Sequence, residues 1–107
     1  MSFTKNTLIA SIKKLSNELD THYGAELNFR NHCYLRIAYD ATIAKKWDLV
    51  IKRPFTKYAN EIQLQKVIDL LLIYKTDTTK LLQDNEKSLN YRKKTITAKS
   101  NLILTLF

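Results

Sequence analysis

Three side chains in one stretch of the sequence could do chemistry together: His32, Arg36 and Asp40. They are four residues apart, so on an α-helix each lies within reach of the next. Arg36 could bind an anion, and His32 or Asp40 could transfer a proton. Alternatively, Arg36 and Asp40 form a buried ion pair that fixes the packing of the helix, with His32 joining them. A third interpretation is a half-buried helix side with the charges at its edge.

The same side of this helix carries apolar residues, including Phe29, Cys33, Ile37 and Trp47. Charges among apolar side chains need partners, because burying an unpaired charge is costly. Cys33 points about 100° away from its neighbour His32, which predicts a buried free cysteine and not a catalytic pair. Trp47 could belong to a recognition loop, but tryptophan is usually buried, which favours a core position.

Known catalytic and metal-binding motifs are missing from the sequence. The single glycine excludes a glycine-rich phosphate loop, and neither G-x-S-x-G nor H-E-x-x-H occurs. The single cysteine excludes a disulfide within the chain and a zinc site built on several thiolates. His22, His32 and Asp40 could bind a metal, but their spacing is not diagnostic. We therefore predict no catalytic residues, no metal and no cofactor, and favour a non-enzymatic protein over an enzyme.

The net charge of +8 is concentrated in two segments. The first basic segment, residues 45–57, has a net charge of +4, and the second basic segment, residues 87–107, has +5. If the two meet in space, they form a patch that can neutralise phosphates, while Trp47, Tyr58 or Tyr91 stacks on bases. The residues predicted to bind nucleic acid or an acidic partner are Lys45, Lys46, Lys52, Arg53, Lys57, Arg92, Lys93 and Lys94. The alternative is that these lysines and arginines form only a solvated surface.

Hydrophobic periodicity predicts an all-α bundle of three to four helices in one domain, residues 1–107. The predicted helices are roughly 4–22, 28–47, 59–75 and 77–94. Leu8, Ile12, Leu15 and Leu19 form the apolar stripe of the first, which should end near Gly24. Asn28 is a candidate N-cap for the second helix.

The remaining helix signals concern the second half of the chain. Asn60 and Gln63 resemble a capping box for the third helix. Thr76 and Asp77 can cap the fourth helix, whose leucines should face the core: Leu81, Leu82 and Leu89. Pro54 interrupts any helix through the connector DLVIKRPFTKYA, residues 48–59. The apolar tail, residues 95–107, is either a strand or a continuation of the fourth helix. Two copies of the protein could form a homodimer through this tail.

The runs NHCYLRIAYD (31–40), KKWD (45–48) and KRPF (52–55) resemble a family of small, uncharacterised bacterial helical proteins over about residues 28–94. Some members are labelled acetyltransferases. Such an enzyme needs a mixed sheet–helix fold and a glycine-bearing loop, which this sequence does not supply. The resemblance therefore implies a small bacterial or phage protein and no particular chemistry.

Taken together, these features predict a small, non-enzymatic, cytoplasmic protein that binds nucleic acid or an acidic nucleoprotein partner through a basic surface. A first alternative is a phage or mobile-element inhibitor that blocks a host protein complex, such as a defence system. A second is a small helical enzyme or anion pocket built on His32, Arg36 and Asp40. No segment has the length and apolar composition of a membrane span, so no membrane partner is expected.

Overall fold

A computed structural model describes residues 2–27 and 29–99 of the protein. Within these residues the structure contains helices and no strand, so the predicted all-α fold is confirmed. Four helices are long, and a fifth, α3, is a single turn. Their bounds are α1 Ser2–Tyr23, α2 Asn31–Ile43, α3 Phe55–Tyr58, α4 Glu61–Thr76 and α5 Thr78–Lys99.

The first helix, α1, buries the stripe that its sequence predicts. Ile12, Leu15 and Leu19 are buried, and Leu8 packs against the core from its edge. The helix ends at Tyr23, and Gly24 follows with a φ of +51°. A left-handed backbone at this position favours glycine because a side chain would be strained there.

The second helix, α2, is shorter than predicted at both ends. It begins at Asn31, with Arg30 as its N-cap residue, and the predicted cap Asn28 lies outside the described residues. It ends at Ile43, four residues before Trp47, because Ala44 adopts a left-handed φ of 64° and donates its backbone N–H to the Asp40 carbonyl. Trp47 lies instead in a short 3-10 turn, Trp47–Leu49.

The N-termini of α4 and α5 are capped by residues that the sequence indicated. The Asn60 side chain accepts from the Gln63 backbone N–H at 2.7 Å, and the Gln63 side chain accepts from the Asn60 N–H at 2.9 Å. This reciprocal pair is the predicted capping box. At the start of α5, the Asp77 carboxylate accepts from the Lys80 backbone N–H at 2.9 Å.

The last helix, α5, buries a face that the apolar pattern did not predict. Leu81 is fully buried as expected, whereas Leu82 and Leu89 are 43% and 46% exposed, so their predicted inward orientation is wrong. Polar Asp84 and Ser88 occupy the buried face with Leu81. Both polar side chains have hydrogen-bond partners there, which is why polar residues can replace leucines on this face.

The core forms where α2 packs against α1, α4 and α5, while α1 also packs along α4. Aromatic side chains of α2 and the following connector extend this core: the Tyr39 and Phe55 rings stack at 3.9 Å, and Trp47 packs edge-on against both. Trp47 is 8% exposed and belongs to the core, as its residue type favoured.

Two further sequence predictions concern the chain termini and membranes. The α5 backbone continues to Lys99, and residues 100–107, which carry most of the predicted dimerisation tail, lie outside the described residues. Over the described part of the chain, no helix combines the length and the apolar character that a membrane span requires.

Candidate functional site

Asp40 joins three parts of the chain at the C-terminal half of α2. Its side chain is completely buried. One carboxylate oxygen accepts from the backbone N–H of Trp47 at 2.9 Å, and the other accepts from the Ser88 hydroxyl of α5 at 2.5 Å. The Arg92 guanidinium lies 3.1 Å from the same carboxylate. Asp40 therefore holds the 3-10 turn Trp47–Leu49 and α5 in place beside α2.

Arg36 lies one turn before Asp40 but is not its direct ion-pair partner. The Arg36 guanidinium donates to the Ser88 hydroxyl at 3.0 Å and to the Asn85 side-chain oxygen at 2.7 Å. Ser88 thus stands between Arg36 and Asp40, accepting from one and donating to the other. The expected Arg36–Asp40 pair is replaced by an Arg92–Asp40 pair, because α5 inserts a hydroxyl between the two α2 side chains.

Of these side chains, Arg36 and Arg92 line a surface groove of about 320 Å³. We call it the arginine groove, because three arginines from α2, the connector and α5 converge on it. Its lining residues are His32, Leu35, Arg36, Tyr39, Trp47, Arg53 and Arg92. A concave site with guanidinium groups on several sides can bind an anion such as a phosphate.

The connector contributes Arg53, which lies above the indole of Trp47. The Arg53 guanidinium carbon is 5.3 Å from the centre of the Trp47 ring. The same guanidinium donates to the Asp48 carboxylate at 2.6 Å. Burial alone would raise the pKa of Asp48, but Arg53 and Lys46 outweigh it and hold that pKa below its ordinary value. The Arg53 guanidinium is therefore already paired with an anion, the Asp48 carboxylate.

Positive charge in the groove is only partly compensated. Arg53 pairs with Asp48, and Arg92 pairs with Asp40. Arg36 has hydrogen bonds to neutral groups and, among the described residues, no carboxylate within ion-pair distance. Burial lowers the pKa of Arg36, and the nearby positive charge of Arg92 lowers it further. A bound anion would offset this repulsion.

The structure brings together some of the sequence-predicted site residues and leaves others apart. His32 is exposed at the groove edge, and Arg53 and Arg92 connect the two basic segments across the groove. Lys45, Lys52 and Lys93 are exposed outside the groove lining, and Lys46 lies 3.5 Å from Asp48. Lys57 is exposed on α3, and its carbonyl accepts from Lys5 of α1. The side chain of Lys94 lies outside the described residues.

Sequence reasoning missed Asn85 and Ser88, which bind the Arg36 guanidinium. Neither residue type signals such a role, because both are common on exposed helix faces. Their spacing of three, which places them on one side of α5 with Arg92 beyond, was the available signal. Cys33, expected to be buried, is half-buried.

A second depression lies on the α1 and α4 side of the molecule, with a volume of about 500 Å³. Lys14, Glu18 and Lys75 are among its lining residues, and Glu18 and Lys75 form an ion pair at 2.8 Å. The Lys75 ammonium holds the pKa of Glu18 below its ordinary value. Among the described residues, no group of three or more His, Cys, Asp or Glu side chains is arranged to hold a metal ion.

Comparisons with known proteins identify no relative of this chain that could indicate its function. No protein-family model matches the chain, and no match was found among curated proteins or among solved structures. The resemblance to a small bacterial family therefore stays a prediction, and the function must be argued from the groove itself.

Proposed function

We propose that this protein is a non-enzymatic nucleic-acid-binding protein and that the arginine groove holds a phosphate of the nucleic-acid backbone. The observation that carries the proposal is the convergence of Arg36, Arg53 and Arg92 from three separate elements on one groove. Guanidinium groups bind phosphate through paired hydrogen bonds, so this is a suitable donor set for that ligand.

Arg36 is the anchor of the proposed site. Its positive charge has no carboxylate within ion-pair distance among the described residues, and Ser88 and Asn85 fix its orientation. Arg92 adds a second guanidinium group, which is 25% exposed and lies 3.1 Å from the Asp40 carboxylate. A phosphate bridging the two guanidinium groups would interact with the positive charge of both.

Exposed lysines of the two basic segments would supply the nonspecific part of the attraction. Lys45, Lys52, Lys57 and Lys93 are exposed and belong to the two basic segments that the groove connects. Lysine attracts backbone phosphates without reading base edges, so this surface favours affinity without strong sequence preference.

Fluorescence anisotropy with labelled single-stranded DNA and RNA of random sequence tests the proposal. At about 50 mM salt, where phosphate contacts are strongest, we expect saturable binding that weakens steeply as salt increases. The Arg36→Gln variant should bind roughly tenfold or more weakly, because it loses a charged contact to phosphate. It should also lower the salt slope by about one.

The matched control is Lys66→Gln, which removes the same charge from α4, a helix that lines no part of the groove. This variant should bind within about twofold of the parent protein, since its charge is exposed and distant. Absence of binding at about 50 mM salt, or equal losses in the two variants, would contradict the proposal.

A second candidate function is the binding of a small phosphorylated molecule. The groove volume of about 320 Å³ favours it, since this is within the range of small-molecule sites. A mononucleotide that competes with the oligonucleotide far below the concentration needed for inorganic phosphate would support this candidate.

A further inference from the structure

The ring of Trp47, which lines the groove, is covered by the exposed side chain of Arg53. Trp47 is 8% exposed, and Arg53 lies over its ring at 5.3 Å. Arg53 is itself 71% exposed and is held there by Asp48 at 2.6 Å. The guanidinium therefore occupies a position over the indole where another flat, polarisable group could stack.

We propose that the arginine groove selects single-stranded nucleic acid, with one unpaired base stacking on the face of Trp47 that Arg53 covers. This inference rests on the proposed nucleic-acid function and names the form of the ligand. In the bound arrangement, Arg53 leaves Asp48 and the indole, and its guanidinium binds the phosphate of the stacked nucleotide.

Trp47 is suited to act as a rigid stacking platform. The rings of Tyr39 and Phe55 pack edge-on against it, each with its centre 5.5 Å from that of the indole. Its backbone N–H is fixed by the buried carboxylate of Asp40 at 2.9 Å. A platform held in this way loses little freedom when a base stacks on it, which favours binding.

The exchange of Arg53 for a base is energetically reasonable. The Arg53 side chain is 71% exposed and that of Asp48 is 15% exposed, so the pair is only partly exposed, and separating it changes an equilibrium constant by roughly fivefold. Stacking of one base on an aromatic side chain changes it by about fivefold or more. Arg53 also gains a phosphate as a new partner, so the loss of Asp48 is offset.

Selection for a single strand follows from the position of the platform inside a concave groove. In a duplex, neighbouring base pairs cover the faces of each base, so none can reach a recessed indole without leaving the stack. Bases of a single strand are available for stacking, and proteins that bind single strands combine positive grooves with aromatic platforms.

The test uses the fluorescence of Trp47, which is the single tryptophan of the sequence. The full-length protein is titrated with an oligothymidine, with an abasic oligodeoxynucleotide of the same length, and with a duplex of the same length. Anisotropy of labelled versions of the same three probes reports binding independently of the indole.

We expect the oligothymidine to quench Trp47 fluorescence and to bind about fivefold or more tightly than the abasic strand and the duplex. Equal affinity for all three probes, or binding of oligothymidine without quenching, would overturn the inference while leaving the proposed function intact. If anisotropy shows that none of the probes binds, the proposed function and the inference both fail.

Substitution of Asp48 tests the competition for Arg53 without altering the platform. Asp48→Asn should increase the affinity for oligothymidine by up to about fivefold, because Arg53 no longer has to leave a carboxylate. Asp69→Asn on α4 makes the same charge change away from the groove and should leave the affinity nearly unchanged. Equal effects of the two variants, or no increase with Asp48→Asn, would overturn the proposed exchange.

Discussion

Single residues at the junction of α2, the connector and α5 determine whether the groove exists. Asp40 accepts hydrogen bonds from the Trp47 backbone and from Ser88, and it pairs with Arg92. These contacts favour a structural role for Asp40, as one sequence interpretation held. The ion-pair partner of Asp40 in this structural role is Arg92 of α5. Arg36 is therefore not needed to neutralise Asp40.

Removing the Asp40 carboxylate should strongly destabilise the protein. We expect Asp40→Ala to lower the free energy of unfolding by about 3–5 kcal/mol, because Arg92 would lose its buried counterion. Urea denaturation measures this, and Asp69→Ala on the exposed side of α4 is the control, with an expected change within about 0.5 kcal/mol. A loss below about 1 kcal/mol for Asp40→Ala would show that its contacts contribute little.

Two buried tyrosines should respond in opposite ways to loss of their hydroxyls. The Tyr34 hydroxyl is buried with no hydrogen-bond partner among the described residues, whereas the Tyr74 hydroxyl donates to Asp84 at 2.6 Å. Tyr34→Phe should therefore stabilise the protein by about 1 kcal/mol, and Tyr74→Phe should destabilise it by about 1.5–3 kcal/mol. Thermal or urea unfolding of both variants measures this, and destabilisation by Tyr34→Phe would reveal an unrecognised partner of its hydroxyl.

At the scale of helices, the buried face of α5 carries polar residues besides Leu81, while two of its leucines are exposed. Leu81 is fully buried, and Leu89, which directly follows Ser88, is 46% exposed. Asp84 and Ser88 lie between them in sequence and point to the interior, where Tyr74 and Asp40 bind them. The helix is thus positioned by hydrogen bonds as much as by apolar packing.

Alanine substitutions can measure this difference between the two faces of α5. Leu81→Ala should reduce the free energy of unfolding by about 2–5 kcal/mol, because it leaves a cavity in the core. Leu89→Ala should change it by less than about 0.5 kcal/mol, as expected at an exposed position. Similar large losses in both variants would show that Leu89 is covered in solution, by the chain itself or by a second copy.

The helices themselves could be predicted from the sequence, because apolar spacing and capping residues are local signals. The stripe of α1, Gly24 after it, and the Asn60–Gln63 capping box all lie where the sequence placed them. The end of α2 could not be predicted, because Ala44 takes a left-handed conformation that its residue type does not favour. The orientation of α5 was also unpredictable, since hydrophobicity does not register the buried hydrogen bonds of Asp84 and Ser88.

At the scale of the whole molecule, the sequence indicated several residues of the site but not how the fold brings them together. His32, Arg36, Asp40 and Trp47 could be singled out because charged and apolar residues share one helix side. The convergence of Arg53 and Arg92 on that side depends on how the connector and α5 pack, and a single sequence does not encode this in any local pattern. Ser88, which separates Arg36 from Asp40, comes from the same packing.

Buried tyrosines should also make the stability of the whole protein fall at alkaline pH. Burial raises the pKa of Tyr34 and of Tyr39 to about 12, so the unfolded chain ionises first. Stability that is fully present below about pH 10 should be lost as the pH rises towards 12, at roughly 2–3 kcal/mol per ring. Urea unfolding between about pH 9 and pH 12 measures this, and Tyr39→Phe should reduce the loss. A stability that does not change over this range would contradict the burial of both hydroxyls.

The central claim is that the arginine groove is where nucleic acid binds, and amide chemical-shift mapping tests it most directly. The isotopically labelled protein is titrated with a short oligothymidine at low salt, and the perturbed residues are mapped on the structure. We expect the largest saturable shifts around Arg36, Trp47, Arg53 and Arg92, with the indole N–H of Trp47 among them. Shifts confined to α1 and α4, or no saturable shifts at all, would contradict the account.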